Sequence, residues 1–356
     1  MKRIALLLSA ALLFCLPACG EASTADTSAP GKGEAGQGEA TAGSETARIP
    51  EETPAPSPDH RGNGGNRGGN GGPGGGMMGG TPTDPEIQVV LDGNAGKFEQ
   101  FTFEDPDTGI SLEYSFYIPE GHDGTREYPL LMFIPDSTGA GKTAKQIVEQ
   151  YYGATVWVTA EDQAKHPSFV LVPAFTETVV DDNWNTSEQI EATIRLLSVL
   201  QAEYSIDAGR LYATGQSMGC MTSLYLNSRY PDLFAASLYV SGQWDIFVLE
   251  PLKGQTFFYI TAGGDAKASG GQDEVMAMLD GAGIAYSYGT WNAQNSAEEQ
   301  DAAVRVLLGQ GRSANMIRFE TGTVLGGVAG MEHMASFNYG YKLSAVRDWL
   351  FEQSKG

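Results

Sequence analysis

The sequence predicts an α/β domain built on a mostly parallel sheet with helices on both faces, and two patterns carry this prediction. Short, continuously apolar runs are typical of strands that are buried on both faces of a parallel sheet. Segments with apolar residues at helical spacing separate these runs, so strand and helix alternate along the chain. The apolar runs lie at residues 130–134, 169–172, 211–214, 238–240 and 257–262.

The helical segments are predicted from the same spacing rule. In the clearest of them, residues 187–204, Ile190, Ile194 and Leu197 recur near the period of an α-helix. A further helix at 296–308 separates two late strands, at about 286–291 and 316–319. The other predicted helices are residues 217–230, 273–282 and 343–353.

Antiparallel strands are expected to open the sheet. Three segments before the first parallel strand alternate or cluster apolar residues: IQVVL from Ile87, FEQFTFED from Phe98 and ISLEYSFYIP from Ile110. A turn at 105–109 separates the last two segments.

The first 86 residues are predicted to lie outside the folded domain. Lys2 and Arg3 precede an apolar run that is too short to cross a bilayer and indicates a signal peptide at 1–18. The run ends in Leu-Pro-Ala before Cys19, which resembles the bacterial lipobox and predicts lipidation of Cys19. The alternative is cleavage nearby and a freely secreted product. Residues 19–86, rich in Gly, Pro, Ser and Thr, are predicted to be a disordered tether, and 87–356 the catalytic domain.

Composition excludes several classes of protein. A formal net charge of −22 argues against a nucleic-acid-binding surface. The three cysteines offer no disulfide framework, and the histidines lack the paired spacing of a metal site, so neither a metal nor another cofactor is predicted. The run STGAGKT resembles a phosphate-binding loop, but Asp136 stands where that loop needs its first glycine.

The strongest chemical signal is the sequence GQSMG around Ser217. It joins a predicted buried strand to a predicted helix, which is the setting in which G-x-S-x-G places a nucleophilic serine on a sharp turn. The amide of the following residue, Met218, is predicted to be one donor of an oxyanion hole.

A serine nucleophile needs a base, and the order of residues selects His333. Among the four histidines, His60, His122 and His166 precede Ser217, whereas His333 follows the last strand. In this type of site the chain order is Ser, then acid, then His. An ordinary loop histidine is the alternative interpretation.

Two aspartates can supply the orienting carboxylate. Asp265 follows a late strand through Gly263 and Gly264 and is the preferred candidate. Asp245, after the preceding strand, is the alternative, and as a surface turn residue it would have no catalytic role.

The second oxyanion donor is expected from the loop after the strand at 130–134. A carboxylate would repel the forming oxyanion, so Asp136 is predicted to point away and cap a turn. This leaves the amide of Ser137 or Thr138, of which Ser137 is preferred.

Residues 112–353 resemble extracellular α/β-hydrolase esterases, the branch that includes polyhydroxybutyrate depolymerases, feruloyl and acetylxylan esterases and predicted bacterial peptidases. The run from Tyr204 to Gly242, with Ser217, FFYITAGGDAKAS with Asp265, and EHMASFNYGYKLSAVRDWLFEQ with His333 carry the resemblance. The family usually has His-Gly where this chain has Pro135 and Asp136.

The resemblance implies a two-step acyl transfer by Ser217, His333 and Asp265 on a small-molecule or polysaccharide-linked ester. Lipidation of Cys19 would hold the protein at the membrane. Trp184 and Trp244 are expected either to shape an acyl pocket or to be core residues. Two other functions stay open. One is a peptidase with the same triad, although such relatives commonly carry a propeller domain for which this chain has no length. The other is a binding lipoprotein that has the fold without activity.

Overall fold

The central element of the computed structural model is a nine-stranded sheet within residues 84–355, which together with Lys2 and Arg3 are the residues that the structure describes. The sheet order is β1-β2-β4-β3-β5-β6-β7-β9-β8. The pairs β1–β2 and β2–β4 are antiparallel and the other pairs in this region are parallel. The strands are β1 Glu99–Glu104, β2 Ser111–Tyr117, β3 Tyr128–Ile134, β4 Phe169–Ala174, β5 Ile206–Gln216, β6 Ala236–Val240, β7 Phe257–Ala262, β8 Ser287–Trp291 and β9 Ala314–Phe319.

Helices cover both faces of this sheet, so the predicted fold class is confirmed. Every residue of β3, β4, β6 and β7 is buried, which is why these strands are continuously apolar in sequence. One core cluster packs α5, α6 and α7 on the sheet, and the other packs α1, α2, α3, α8, α9 and α10. The helices are α1 Pro85–Asn94, α2 Ala144–Gln150, α3 Tyr152–Thr155, α4 Ala160–Lys165, α5 Glu188–Glu203, α6 Met218–Arg229, α7 Ala266–Gly281, α8 Ala297–Leu308, α9 Glu332–Lys342 and α10 Ser344–Phe351.

The predicted helices occur with small changes of boundary. Helices α5, α6, α8 and α10 lie inside the predicted segments. Helix α7 begins at Ala266, seven residues earlier than predicted, because the side chain of Asp265 accepts a hydrogen bond from the amide of Ala268 and caps its first turn. Helix α9 was not predicted.

The prediction of a strand at IQVVL is wrong, because these residues lie in helix α1. The carboxylate of Asp84 accepts the amide of Glu86 at 2.9 Å, and Pro85 occupies the first helical turn, where its missing N–H costs nothing. Ile87 and Leu91, one helical turn apart, are both buried. The capping sequence therefore overrides the β-propensity of the apolar run.

The N-terminal predictions concern residues that are almost entirely outside the described part of the chain. This applies to the signal peptide at 1–18, to Cys19 and to the tether at 19–86, apart from Lys2–Arg3 and residues 84–86. Lys2–Arg3 pairs in parallel with Phe101 and Thr102 of β1. Within the described ranges, no helix is both long and apolar enough to cross a membrane.

A bidentate ion pair fastens the turn between β1 and β2 to helix α5. Arg195 donates from Nε to Asp105 Oδ1 at 2.7 Å and from Nη2 to Oδ2 at 2.6 Å, and Asp105 is 2% exposed. These hydrogen bonds are the main cause that lowers the pKa of Asp105 from its usual 3.8 to about 2.

We expect Asp105→Asn to lower the free energy of unfolding at pH 7 by about 2 kcal/mol, from the shift in pKa. Because the folded state has the lower pKa, this stabilisation is complete above the usual pKa and is lost as the pH falls towards 2. Urea unfolding at pH 7, 4 and 3 measures it. The control Asp107→Asn changes a more exposed carboxylate 3.6 Å from Arg195 and should have little effect. An equal loss at all three pH values would contradict the assignment.

Candidate active site

Ser217 lies on a sharp turn between strand β5 and helix α6. Its backbone is in an uncommon region, with φ 51° and ψ −115°, and its amide donates to the carbonyl of Val240 in the neighbouring strand at 3.0 Å. A non-glycine residue with positive φ is strained, and such strain persists only where the surrounding structure imposes it. The side chain is thereby held above the carboxyl end of the sheet.

The two glycines of GQSMG are required by close backbone contacts. A Cβ atom on Gly215 would lie 2.4 Å from the backbone of Gly219. A Cβ atom on Gly219 would lie 1.9 Å from the carbonyl oxygen of Ile134, at the end of β3. The start of helix α6 therefore touches the backbone of the neighbouring strand, which only glycine permits at this position.

The structure brings Ser217, His333 and Asp265 together in one hydrogen-bonded line. Ser217 Oγ lies 2.8 Å from His333 Nε2, and His333 Nδ1 lies 2.6 Å from Asp265 Oδ2. The serine follows β5, the aspartate follows β7, and the histidine is in the first turn of α9. A hydroxyl, an imidazole and a carboxylate in this order can move a proton from the serine to the histidine.

Asp265 and not Asp245 contacts the histidine. Asp265 is 7% exposed; its Oδ1 accepts the amide of Ala268 at 3.3 Å, so that Oδ2 is free to face His333. Asp245 instead accepts the amide of Phe247 at 3.1 Å and caps a single 3₁₀ turn, Ile246–Val248.

Glu332 joins the loop of Asp265 to the helix of His333, and the sequence analysis missed it. Its carboxylate accepts the amide of Gly264 at 3.0 Å and the amide of Gly322 at 2.8 Å. A Cβ atom on Gly264 would lie 1.9 Å from the Glu332 carboxylate, so a larger residue there would displace that carboxylate. The signal available in the sequence was a glycine pair before the acid together with a glutamate next to the histidine.

Two backbone amides lie in the region predicted for the oxyanion hole. Met218 is the first residue of helix α6, where an amide has no partner within the helix and the helix dipole favours negative charge. The turn Ser137–Gly139 follows β3, whose last residue, Ile134, closely approaches Gly219 of helix α6. The amide of Thr138 donates to the carboxylate of Asp136 at 2.8 Å, so between Ser137 and Thr138 the amide of Ser137 is the one left for a ligand.

A cavity of about 910 Å³ is lined in part by Asp136 and by Gln216, the residue before Ser217. Its lining includes apolar side chains, such as Met334 and Phe337 of helix α9, and polar ones, such as Lys142 and Gln146. Helix α1 lines the cavity as well, through Ile87 and Leu91. The volume is in the range of small-molecule binding sites.

The two tryptophans have different environments. Trp244 is 3% exposed and packs its ring against Trp184 with centroids 5.2 Å apart, whereas Trp184 is 41% exposed and has φ 65°. Asp182, two residues before Trp184, accepts hydrogen bonds from Gln243, next to Trp244, at 3.1 Å and from Lys267 at 2.6 Å. Trp244 is therefore a core residue, while Trp184 lies at the surface.

Among residues 84–355, no group of three or more His, Cys, Asp and Glu side chains is placed to hold a metal ion.

Comparison with known proteins gives the family. The family described as "Putative esterase" matches residues 107–336, which include Ser217, Asp265 and His333. The chain belongs to this esterase family. Together with the sheet topology, this membership confirms the predicted resemblance to α/β-hydrolase esterases. Among curated proteins, none matches the sequence.

The solved structure of an esterase supports the same fold, and two other structures give lower TM-scores. A thermostable esterase is similar with a TM-score of 0.59 and 24% identity over 75% of this chain, which spans 64% of that protein. The feruloyl esterase module from Clostridium thermocellum gives a TM-score of 0.49 at 13% identity, with 70% of this chain and 87% of the module covered. A post-proline cleaving enzyme from Rickettsia typhi gives 0.43 at 12% identity, with 72% of this chain and 38% of that enzyme covered.

We expect Glu332→Ala to lower kcat for ester hydrolysis by about 10- to 100-fold with little change in KM, because it frees the loop that aligns Asp265 with His333. Removing two hydrogen bonds to a charged acceptor should also lower the free energy of unfolding by about 2–4 kcal/mol. Steady-state kinetics and urea unfolding measure both effects. Glu127→Ala, which changes an exposed loop glutamate, is the control, and unchanged kcat in Glu332→Ala would contradict the assignment.

Proposed function

We propose that this protein is a serine hydrolase that cleaves carboxylic esters through an acyl-enzyme. The observation that carries the proposal is the line of hydrogen bonds from Ser217 Oγ through His333 to Asp265, at 2.8 and 2.6 Å. The esterase family of the chain supports an ester as the bond that is cleaved.

In the proposed reaction, Ser217 Oγ attacks the carbonyl carbon of the ester while His333 Nε2 takes its proton. Asp265 accepts a hydrogen bond from His333 Nδ1, which keeps Nε2 unprotonated before the attack and stabilises the imidazolium afterwards. The amides of Met218 and Ser137 donate to the oxygen that becomes negative, and each such donor contributes about 10²- to 10³-fold to the rate. His333 then protonates the departing alcohol, and water releases the acyl group by the same steps.

The cavity lined by Asp136 and by Gln216, the residue before Ser217, supports a substrate larger than a simple acetate ester of a short alcohol. Its volume of about 910 Å³ and its lining of both apolar and polar side chains fit a group that carries apolar and polar parts. We therefore propose small-molecule or polysaccharide-linked esters as substrates, in line with the feruloyl esterase module among the similar structures.

We further propose that the protein is exported and anchored to the membrane by a lipid on Cys19. The support is the short apolar run that ends in Leu-Pro-Ala-Cys and the Gly-rich residues that follow, which would hold the catalytic domain at a distance from the anchor.

The wild-type protein should react covalently with a fluorophosphonate probe and hydrolyse p-nitrophenyl esters. Ser217→Ala should abolish labelling, and His333→Ala should lower kcat by about 10⁴-fold because the serine loses its base. Both variants should unfold within a few degrees of the wild type. His166→Ala removes a histidine that contacts Asp348 and is the matched control. Full hydrolysis by His333→Ala would exclude the triad. Hydrolysis of peptide substrates in preference to esters would favour a peptidase. A wild-type protein that the probe does not label would favour an inactive binding protein.

When the protein is expressed in a bacterium grown with radiolabelled palmitate, it should carry the label and be recovered with the membranes. Cys19→Ser should release it, because the acyl chains are the proposed attachment. Cys15→Ser, a change four residues earlier in the predicted signal peptide, is the control and should leave labelling intact. Membrane recovery of Cys19→Ser without label would contradict the lipid anchor.

A further inference from the structure

A buried carboxylate, Asp136, lies directly behind the proposed oxyanion site. It is 3% exposed and follows strand β3 and Pro135. Oδ1 accepts the amide of Thr138 at 2.8 Å, the hydroxyl of Thr138 at 2.6 Å and the hydroxyl of Tyr151 at 3.0 Å. Oδ2 accepts the side-chain amide of Gln216 at 2.8 Å.

These four hydrogen-bond donors compensate for the free-energy cost of burying the carboxylate. Removing an ion from water costs several kcal/mol unless hydrogen bonds or an opposite charge compensate. Among the described residues, no Lys, Arg or His side chain forms an ion pair with Asp136. Burial first, and then the charge of Asp136, raise the pKa of Tyr151, so its phenol stays protonated and donates.

The donors come from three separate segments of the chain. Thr138 belongs to the turn that carries Ser137, Tyr151 lies between helices α2 and α3, and Gln216 is the last residue of β5 before the nucleophile. Strands β3 and β5 are neighbours, with Ile134 opposite Gly215. The carboxylate therefore links the turn of one proposed oxyanion donor to the strand that ends at Ser217.

We propose that Asp136 is a positioning residue that holds the Ser137 amide in register with the Met218 amide and Ser217. The inference rests on the proposed hydrolase function. Asp136 touches neither substrate nor reacting atoms; it acts through Thr138, Tyr151 and Gln216. Its contribution is geometric, since two oxyanion donors are effective only when both lie at hydrogen-bond distance from the same oxygen.

The geometric role predicts that asparagine can replace Asp136. The Oδ1 atom of asparagine can still accept from Thr138 and Tyr151. The side-chain amide of Gln216 can rotate by half a turn, so that its oxygen accepts from the new Nδ2. The negative charge itself opposes a forming oxyanion, so losing the charge carries no penalty at the reacting oxygen.

The first experiment compares kinetics of two variants with the wild type. Asp136→Ala should lower kcat about 100-fold with KM changed less than threefold, as for misplacing one oxyanion donor. Asp136→Asn should recover most of this loss, to within about fivefold of the wild type. The double variant Asp136→Ala/Tyr151→Phe should be no slower than Asp136→Ala, because both changes remove one network. Asp123→Ala, an exposed aspartate, is the control.

Should Asp136→Ala fail to fold, Tyr151→Phe and Gln216→Met remove single arms of the network and should each lower kcat by about tenfold. A kcat within threefold of the wild type in Asp136→Ala, or in both single-arm variants, overturns the proposal. So does an Asp136→Asn variant that is as slow as Asp136→Ala, because the charge and not the geometry would then be responsible.

Hydrogen exchange separates this inference from the proposed function, since it needs no substrate. The amide of Thr138 should exchange at least tenfold faster in Asp136→Ala than in the wild type and at nearly the wild-type rate in Asp136→Asn. If the wild type hydrolyses no ester and reacts with no fluorophosphonate, the proposed function fails. Unchanged exchange at Thr138 in Asp136→Ala overturns the positioning network independently of activity.

Discussion

The contact between the start of helix α6 and the end of strand β3 is the constraint on which the rest of the site depends. Gly219 lies so close to the carbonyl of Ile134 that a single added carbon would overlap it. This contact leaves no room for a gradual turn, so Ser217 takes a positive φ and its side chain stands above the sheet. It also brings the first amide of the helix next to the loop that follows β3, where the second oxyanion donor is proposed.

Carboxylates hold the loops of this site by accepting backbone amides. Asp265 caps helix α7 with one oxygen and contacts His333 with the other. Glu332 accepts two glycine amides from two loops, and Asp136 accepts the amide of Thr138. In each case a charged acceptor fixes a loop at the carboxyl edge of the sheet, where an irregular backbone would otherwise leave amides without partners. Acidic residues therefore hold the loops of the site in place, and they also contribute to the negative net charge of the protein.

The parts of the fold that were predictable from sequence are those in which local pattern and burial agree. Strands β3, β4 and β7 are apolar on both faces, and GQSMG needs only its neighbouring strand and helix to be recognised. Helix α1 was missed because IQVVL favours a strand and only the cap at Asp84 and Pro85 shows otherwise. Helix α9 was missed because its buried face, which includes Phe337 and Tyr341, is narrow and gives only a weak apolar pattern in sequence. The network of Asp136 was beyond prediction, because Gln216 is 80 residues away and only the sheet register makes them neighbours.

Helix α9 has two roles that cannot be separated. Its first turn carries His333, and Met331 and Met334, on either side of His333 in sequence, line the cavity beside Asp136 and Gln216. The ring of His333 packs against Phe337, which also lines the cavity. A substrate that fills this cavity therefore contacts the same turn that holds the proposed base.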